Sequence, residues 1–151
     1  MSRIDFYHIQ KQSLEEVLPV LLAKAYNTGN RVCVKTNSEE RVAYWNNYLW
    51  TYNDESFLPH GSKKDGFAAQ QPILLTADSE NINDATFLFL TDGAEMAPDK
   101  AAAYTRIFNL FDGNSAEALA QARTLWKTYK DAGFEVYYWQ QNERGKWEQK
   151  A

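Results

Sequence analysis

RIDFYHIQKQSLEEVLPVLLAKAYNTGNRVCVK, residues 3–35, carries the pattern that decides the fold. Arg3 to Ile9 alternates in side-chain character with period two, as a strand does. Ser13 then stands where a helix N-cap belongs, with Glu15 and Glu16 in the first turn, where the positive end of the helix dipole favours carboxylates. That helix is expected to run to about Asn27 and to stop at Gly29-Asn30. Pro19 falls inside it, so either the first turn begins nearer residue 18 or the helix bends there. Arg31 to Lys35 is a short run with β-branched residues and makes the second strand.

Outward from this unit the alternation continues. Thr36-Asn37-Ser38 caps a second helix that carries Val42, Trp45, Leu49 and Trp50 at helical spacing. Strands are predicted at Ile73–Thr76, Thr86–Leu90 and Arg106–Phe111, with a short Ala-rich helical turn near Pro98–Thr105. Ser62–Gly66 reads as a polar surface loop. The best helix covers about Ala116–Ala132, capped by Asn114 or Ser115 and closed by Gly133. Phe134–Gln140 is the last strand, and 142–151 is expected as a flexible polar tail, docked if at all by Trp147. Helices alternating with nearly continuous apolar strands predict an α/β fold, a mostly parallel sheet flanked by helices on both faces. At 151 residues, 1–151 is expected as a single domain around one core.

Hydrophobic residues make up 44% of the chain and aromatics 15%, an excess that raises the question of whether some serve an interface. The formal charge of −4 gives no overall positive field to draw in a phosphate backbone, so direct nucleic-acid binding is disfavoured. Leu18–Ala23 and Phe87–Leu90, the longest apolar stretches, fall far short of the ~20 residues a spanning helix needs. The N-terminus lacks the basic segment and apolar run of a secretory signal, and the lone Cys33 cannot form an internal disulfide; a cytoplasmic location is expected.

Catalytic and cofactor motifs are missing where an α/β pattern would put them. No Gly-x-Gly-x-x-Gly follows the first strand. Gly61 and Gly66 have the spacing of a phosphate-binding loop, but Phe67-Ala68 stand where Lys-Ser/Thr must reach phosphate and magnesium. His8, His60 and Cys33 are isolated, without metal-ligand spacing, and no Gly-x-Ser-x-Gly elbow occurs. No catalytic residue, metal or cofactor is expected.

Two other regions stand out. On the 116–132 helix, Leu119, Ala122, Leu125 and Tyr129 form a buried face, and Arg123, Trp126, Lys127 and Lys130 recur beside it. The second face is either solvated or a groove for an acidic, aromatic-ended peptide, with Arg gripping a carboxylate and Trp as the apolar wall. Tyr48, Trp50, Tyr52, Phe57, Leu58 and Pro59 make a second cluster, either a satellite of the core or a partner surface.

In these two regions the chain resembles a known family. Leu49-Trp50, then Glu55-Ser56-Phe57-Leu58-Pro59-His60-Gly61 and Pro72-Ile73, resemble the middle of the chi subunit of bacterial DNA polymerase III. Asn109-Leu110-Phe111-Asp112-Gly113, Ala122-Arg123 with Trp126-Lys127, and Ala132-Gly133-Phe134 resemble its last helix and flanks, and Asp5-Phe6-Tyr7 its opening strand. The resemblance implies a fold similar to nucleotide-binding folds but lacking a phosphate-binding loop. It implies a non-catalytic accessory subunit of the clamp loader that joins the replicase to single-stranded-DNA-binding protein (SSB). Arg123, Trp126, Lys127 and Phe111 would then receive the acidic SSB tail, with Asp112 an acidic departure at the rim and Leu119 standing where a further cation would help. Trp50, Phe57, Leu58, Pro59 and His60 would face the psi subunit, the chain being a monomer alone and a heterodimer with psi. The rivals are a small α/β enzyme with a pocket near His60, and a nucleotide-binding regulator.

Overall fold

The computed structural model describes residues 2–52 and 58–151. The elements are β1 (Arg3–Ile9), α1 (Leu14–Asn27), β2 (Val32–Lys35), α2 (Glu39–Thr51), β3 (Gly61–Ser62), β4 (Ile73–Thr76), β5 (Phe87–Leu90), α3 (Pro98–Ala101), β6 (Arg106–Asp112), α4 (Ala116–Asp131), β7 (Glu135–Gln141) and β8 (Trp147–Gln149). They form one sheet in the order β3-β4-β2-β5-β6-β1-β7-β8. Every neighbouring pair is parallel except β7–β8.

Period-two alternation sorts the strands into two apolar layers. Tyr7, Ile9, Val34, Leu75, Phe89, Phe108 and Leu110 pack with Leu18 and Leu22 of α1 and Trp45 and Leu49 of α2. Ile4, Phe6, Leu88, Leu90, Ile107 and Phe111 face the other way, onto Ala122, Leu125 and Tyr129 of α4. The predicted helix–sheet–helix arrangement is therefore observed. Cys33 belongs to the second layer, and burial pushes its thiol up to about 12, which makes it a core residue.

The caps behave as their residues dictate. Ser13 Oγ accepts from the Glu16 amide at 3.2 Å while Glu16 Oε1 accepts from the Ser13 amide at 3.0 Å, a reciprocal capping box. Ser38 and Ser115 cap α2 and α4 through the one-way half of that arrangement, each side-chain oxygen accepting from a backbone amide three residues on, Arg41 and Ala118. Of the two alternatives for Pro19, the helix starts at Leu14 and keeps the proline inside. A residue with an N–H at 19 would bond the Glu15 carbonyl; here the Tyr48 hydroxyl of α2 donates to it at 3.0 Å.

Three expectations are corrected. Trp50 does not share the buried face of Val42, Trp45 and Leu49: it is 49% exposed, because it lies one residue, and so about 100°, past Leu49 on the helix. Gly61 and Ser62 of the presumed loop region form a two-residue edge strand on β4, followed by a 3₁₀ turn over Lys63–Asp65. Residues 142–151, expected as a flexible tail, turn at Gly145 and return as β8 against β7. Trp147 does dock, edge-on to the Tyr7 ring at 5.1 Å.

Candidate functional site

β6 and β7 lie on either side of β1, and α4 packs against all three strands. A groove of about 450 Å³ opens where α4 meets β7 and the end of β1. His8, Leu119, Arg123, Trp126, Tyr138 and Gln140 line it, with Ala122 on its floor and Ala151 on its wall.

The local pattern explains each side chain. Positions 4, 6 and 8 of β1 and 136 and 138 of β7 point to the α4 side, so His8 and Tyr138 meet there across the parallel β1–β7 pair. His8 Nδ1 and the Tyr138 hydroxyl share a hydrogen bond of 2.6 Å. Trp126 rests on Phe6 at 5.7 Å and stands nearly edge-on to Tyr138 at 6.1 Å. Its indole is thus held as an apolar wall, while Arg123, one turn earlier, stays exposed. Burial raises the Tyr138 hydroxyl above its ordinary value and the nearby Arg123 guanidinium opposes that rise, so the cation's field reaches into the groove.

Of the four residues expected here, Arg123 and Trp126 line the groove. Lys127 is exposed beside Trp126 and is not part of the lining. Phe111 is buried and backs the groove, its ring 5.3 Å from His8 and 6.1 Å from Tyr138. Leu119, expected in the core, is half-buried and lines the groove instead. The sequence reading missed His8, Tyr138 and Gln140. The alternation of the last strand marked Tyr138 as facing the same way as Val136, but only the β1–β7 register brings His8 to it.

Gly113 fixes the His8 ring. A Cβ there would lie 2.0 Å from His8 Cδ2 and Nε2 and 3.0 Å from the Ile9 carbonyl. Gly113→Ala is expected to rotate the imidazole away from Tyr138 and to lower stability by about 1–3 kcal/mol, the usual cost of overpacking. Chemical denaturation and the NMR cross-peaks between the two rings would show both effects; unchanged cross-peaks would refute the clash.

His8 also carries a pH dependence. Burial lowers its pKa below the ordinary 6.5, with Asp112 opposing. The folded state therefore prefers the neutral ring, a contribution complete above about pH 6.5 and lost as pH falls through the folded pKa. Thermal stability is expected to decline from about pH 7 to about pH 5, with a shallower decline in His8→Phe; parallel profiles would refute this.

The second cluster lies toward the opposite edge of the sheet. The Trp50 ring is 4.2 Å from His60, Leu58 and His60 are buried, and Pro59 is half-buried. His60 Nδ1 lies 2.6 Å from the Leu58 carbonyl and Nε2 3.0 Å from that of Asn46, so the imidazole ties the segment to α2. Phe57 lies outside the described residues. Trp50 and Pro59 thus lie nearer the surface, with Leu58 and His60 packed beneath them.

The profile of the family described as DNA polymerase III chi subunit, HolC, matches residues 1–137, which takes in all of α4 and the start of β7. The chain belongs to this family. A protein named probable DNA polymerase III subunit chi, from Rickettsia prowazekii (strain Madrid E), is 30% identical over 97 residues, 64% of this chain and 59% of that protein. DNA polymerase III subunit chi of Escherichia coli (strain K12) is 23% identical over 125 residues, 82% of this chain and 83% of the relative. The chi-family profile stops at 137, short of β8 and of Tyr138 and Gln140 in the groove. The groove's cation and its indole both fall within the matched segment.

Proposed function

We propose that this chain is a non-catalytic accessory subunit of a DNA polymerase III clamp loader, holding the replicase to SSB-coated single strands through one surface and to the psi subunit through another. The observation that carries the reading is the groove in which the exposed Arg123 guanidinium flanks an apolar wall of Trp126 and Tyr138. An acidic peptide with an aromatic end suits this pairing, the carboxylate on the guanidinium and the ring against the indole. Arg123, Lys127 and Lys130 are exposed together on α4, a local positive field on a chain of net charge −4.

Trp50 and Pro59 would form the psi surface. With the groove at the β7–β8 edge and Trp50 near the β3 edge, the two partners would be held apart by the width of an eight-stranded sheet, roughly 30 Å at the usual strand spacing. Such a molecule works by raising effective concentration. It would act in the cytoplasm as a monomer that pairs with psi, without cofactor; among the described residues no helix is long and apolar enough to cross a membrane.

The test is fluorescence anisotropy with a labelled SSB C-terminal peptide and the same peptide lacking its final Phe. Binding that requires the Phe supports the reading. Equal affinity for both peptides, or no binding at low salt, would refute the groove's assignment. The rival enzyme reading gains no support, since both His60 ring nitrogens already face carbonyl oxygens.

A further inference from the structure

A second and larger opening, of about 540 Å³, lies outside the carboxyl ends of β5, β6 and β1. β1 and β6 are parallel neighbours, yet α1 leaves β1 toward one apolar layer and α4 leaves β6 toward the other. Parallel sheets bind ligands at such a switch point, where the diverging helices leave a crevice. Its volume lies within the range of small-molecule sites.

Inside it is a polar group that the fold does not use. Asn109 of β6 is 5% exposed and sits in the α4-side layer between Ile107 and Phe111. Its amide lines the crevice and has no hydrogen-bond partner among the described residues. The amide is reached from the crevice, so its donor and acceptor are open to water or to a ligand there.

The charges narrow the ligand class. Arg41 is the one cation among the described lining residues, and Asp92 already holds it at 3.0 Å. Glu15 and Asp112 remain, so a phosphate would meet excess negative charge. Carboxylates at the mouth of a switch-point crevice suit ribose hydroxyls. An Asn amide pairs its donor and acceptor with the N7 and N6 edge of adenine. Leu90, Phe111 and Leu125 supply apolar walls for a flat ring.

We propose that this crevice binds an uncharged purine nucleoside whose amino-bearing edge is read by Asn109. Adenosine titrated into the ¹⁵N-labelled protein should give saturable shifts at the Asn109 side-chain amide and at Ala118. Inosine, which offers acceptors at both edge positions, and adenosine monophosphate should each bind several-fold more weakly. Asn109→Leu removes the unsatisfied amide at nearly constant volume, so the fold should be kept and affinity should fall roughly ten- to a hundredfold. Ala118→Leu, which narrows the mouth, should also weaken binding while leaving the SSB-peptide affinity intact. Absence of saturable adenosine shifts would show a water-filled crevice and overturn the proposal. Unchanged affinity in Asn109→Leu, or tighter binding of the monophosphate, would do the same.

Discussion

Replacing Arg123 with alanine is expected to weaken binding of an acidic, Phe-ended SSB peptide by roughly ten- to a hundredfold, while the melting temperature stays nearly unchanged. A hydrogen bond to a charged partner contributes about 1.5–3 kcal/mol, and each 1.4 kcal/mol is tenfold in affinity. Arg123 is exposed, so its removal should change stability by less than about 0.5 kcal/mol. Arg123→Lys should restore only part of the affinity, because an ammonium cannot grip a carboxylate with two parallel bonds. The wild-type affinity should fall with added salt more steeply than that of the alanine variant. Trp50→Ala, at the other edge of the sheet, should leave peptide binding unchanged and remove psi binding. Loss of both interactions in both variants would defeat the two-surface reading and point to misfolding.

The largest stability effect is expected at Asp5. This carboxylate is 0% exposed in a strand at the middle of one half of the sheet, between β6 and β7. Oδ1 accepts from Arg3 at 2.9 Å and from the Trp139 indole N–H at 3.0 Å, and Oδ2 accepts from Arg106 at 2.8 Å. Asp5→Ala would leave two guanidinium groups and an indole N–H without their acceptor. Breaking a buried ion pair by removing one partner costs about 3–5 kcal/mol. Both arginines are about one-third exposed, 33% for Arg3 and 31% for Arg106, and recover some hydration, which places the expected loss near the lower end, about 3 kcal/mol. Against a total stability of about 5–15 kcal/mol that is a large fraction. In chain lengths near this one it lowers the melting temperature by roughly 6–12 °C. Asp5→Asn keeps an acceptor for Trp139 and should lose less. An unfolding free energy from urea denaturation of Asp5→Ala within about 1 kcal/mol of wild type would show that the cluster contributes specificity alone.

The elements best read from the sequence are those whose ends carry side-chain chemistry. Ser13 with Glu16, Ser38, Ser115 and Gly133 fix the helix limits through local bonds, so a linear pattern suffices. The parallel core was legible because both faces of its strands are covered, leaving nearly unbroken apolar runs. β8 was not legible: Trp147-Glu148-Gln149 has no apolar alternation, and backbone bonds to an edge strand hold it together with one docked indole. Half of the groove was legible. Arg123 and Trp126 share a helix and therefore a spacing, whereas His8 and Tyr138 are 130 residues apart and meet only through strand register. Asn109 was visible as one amide within Ile107-Phe108-Asn109-Leu110-Phe111, but its lack of a partner is a property of the packed layer.

The Tyr48–Glu15 bond bears on how the chain folds. With proline at 19, α1 cannot complete its own backbone ladder; the missing partner comes from a side chain 33 positions away, across the whole of β2. Before α2 docks, that carbonyl has only water, so α1 gains full order only when its neighbour arrives. The first two helices should therefore protect their amides from hydrogen exchange as one cooperative unit, and Tyr48→Phe should loosen the first two turns of α1 without touching any residue within it.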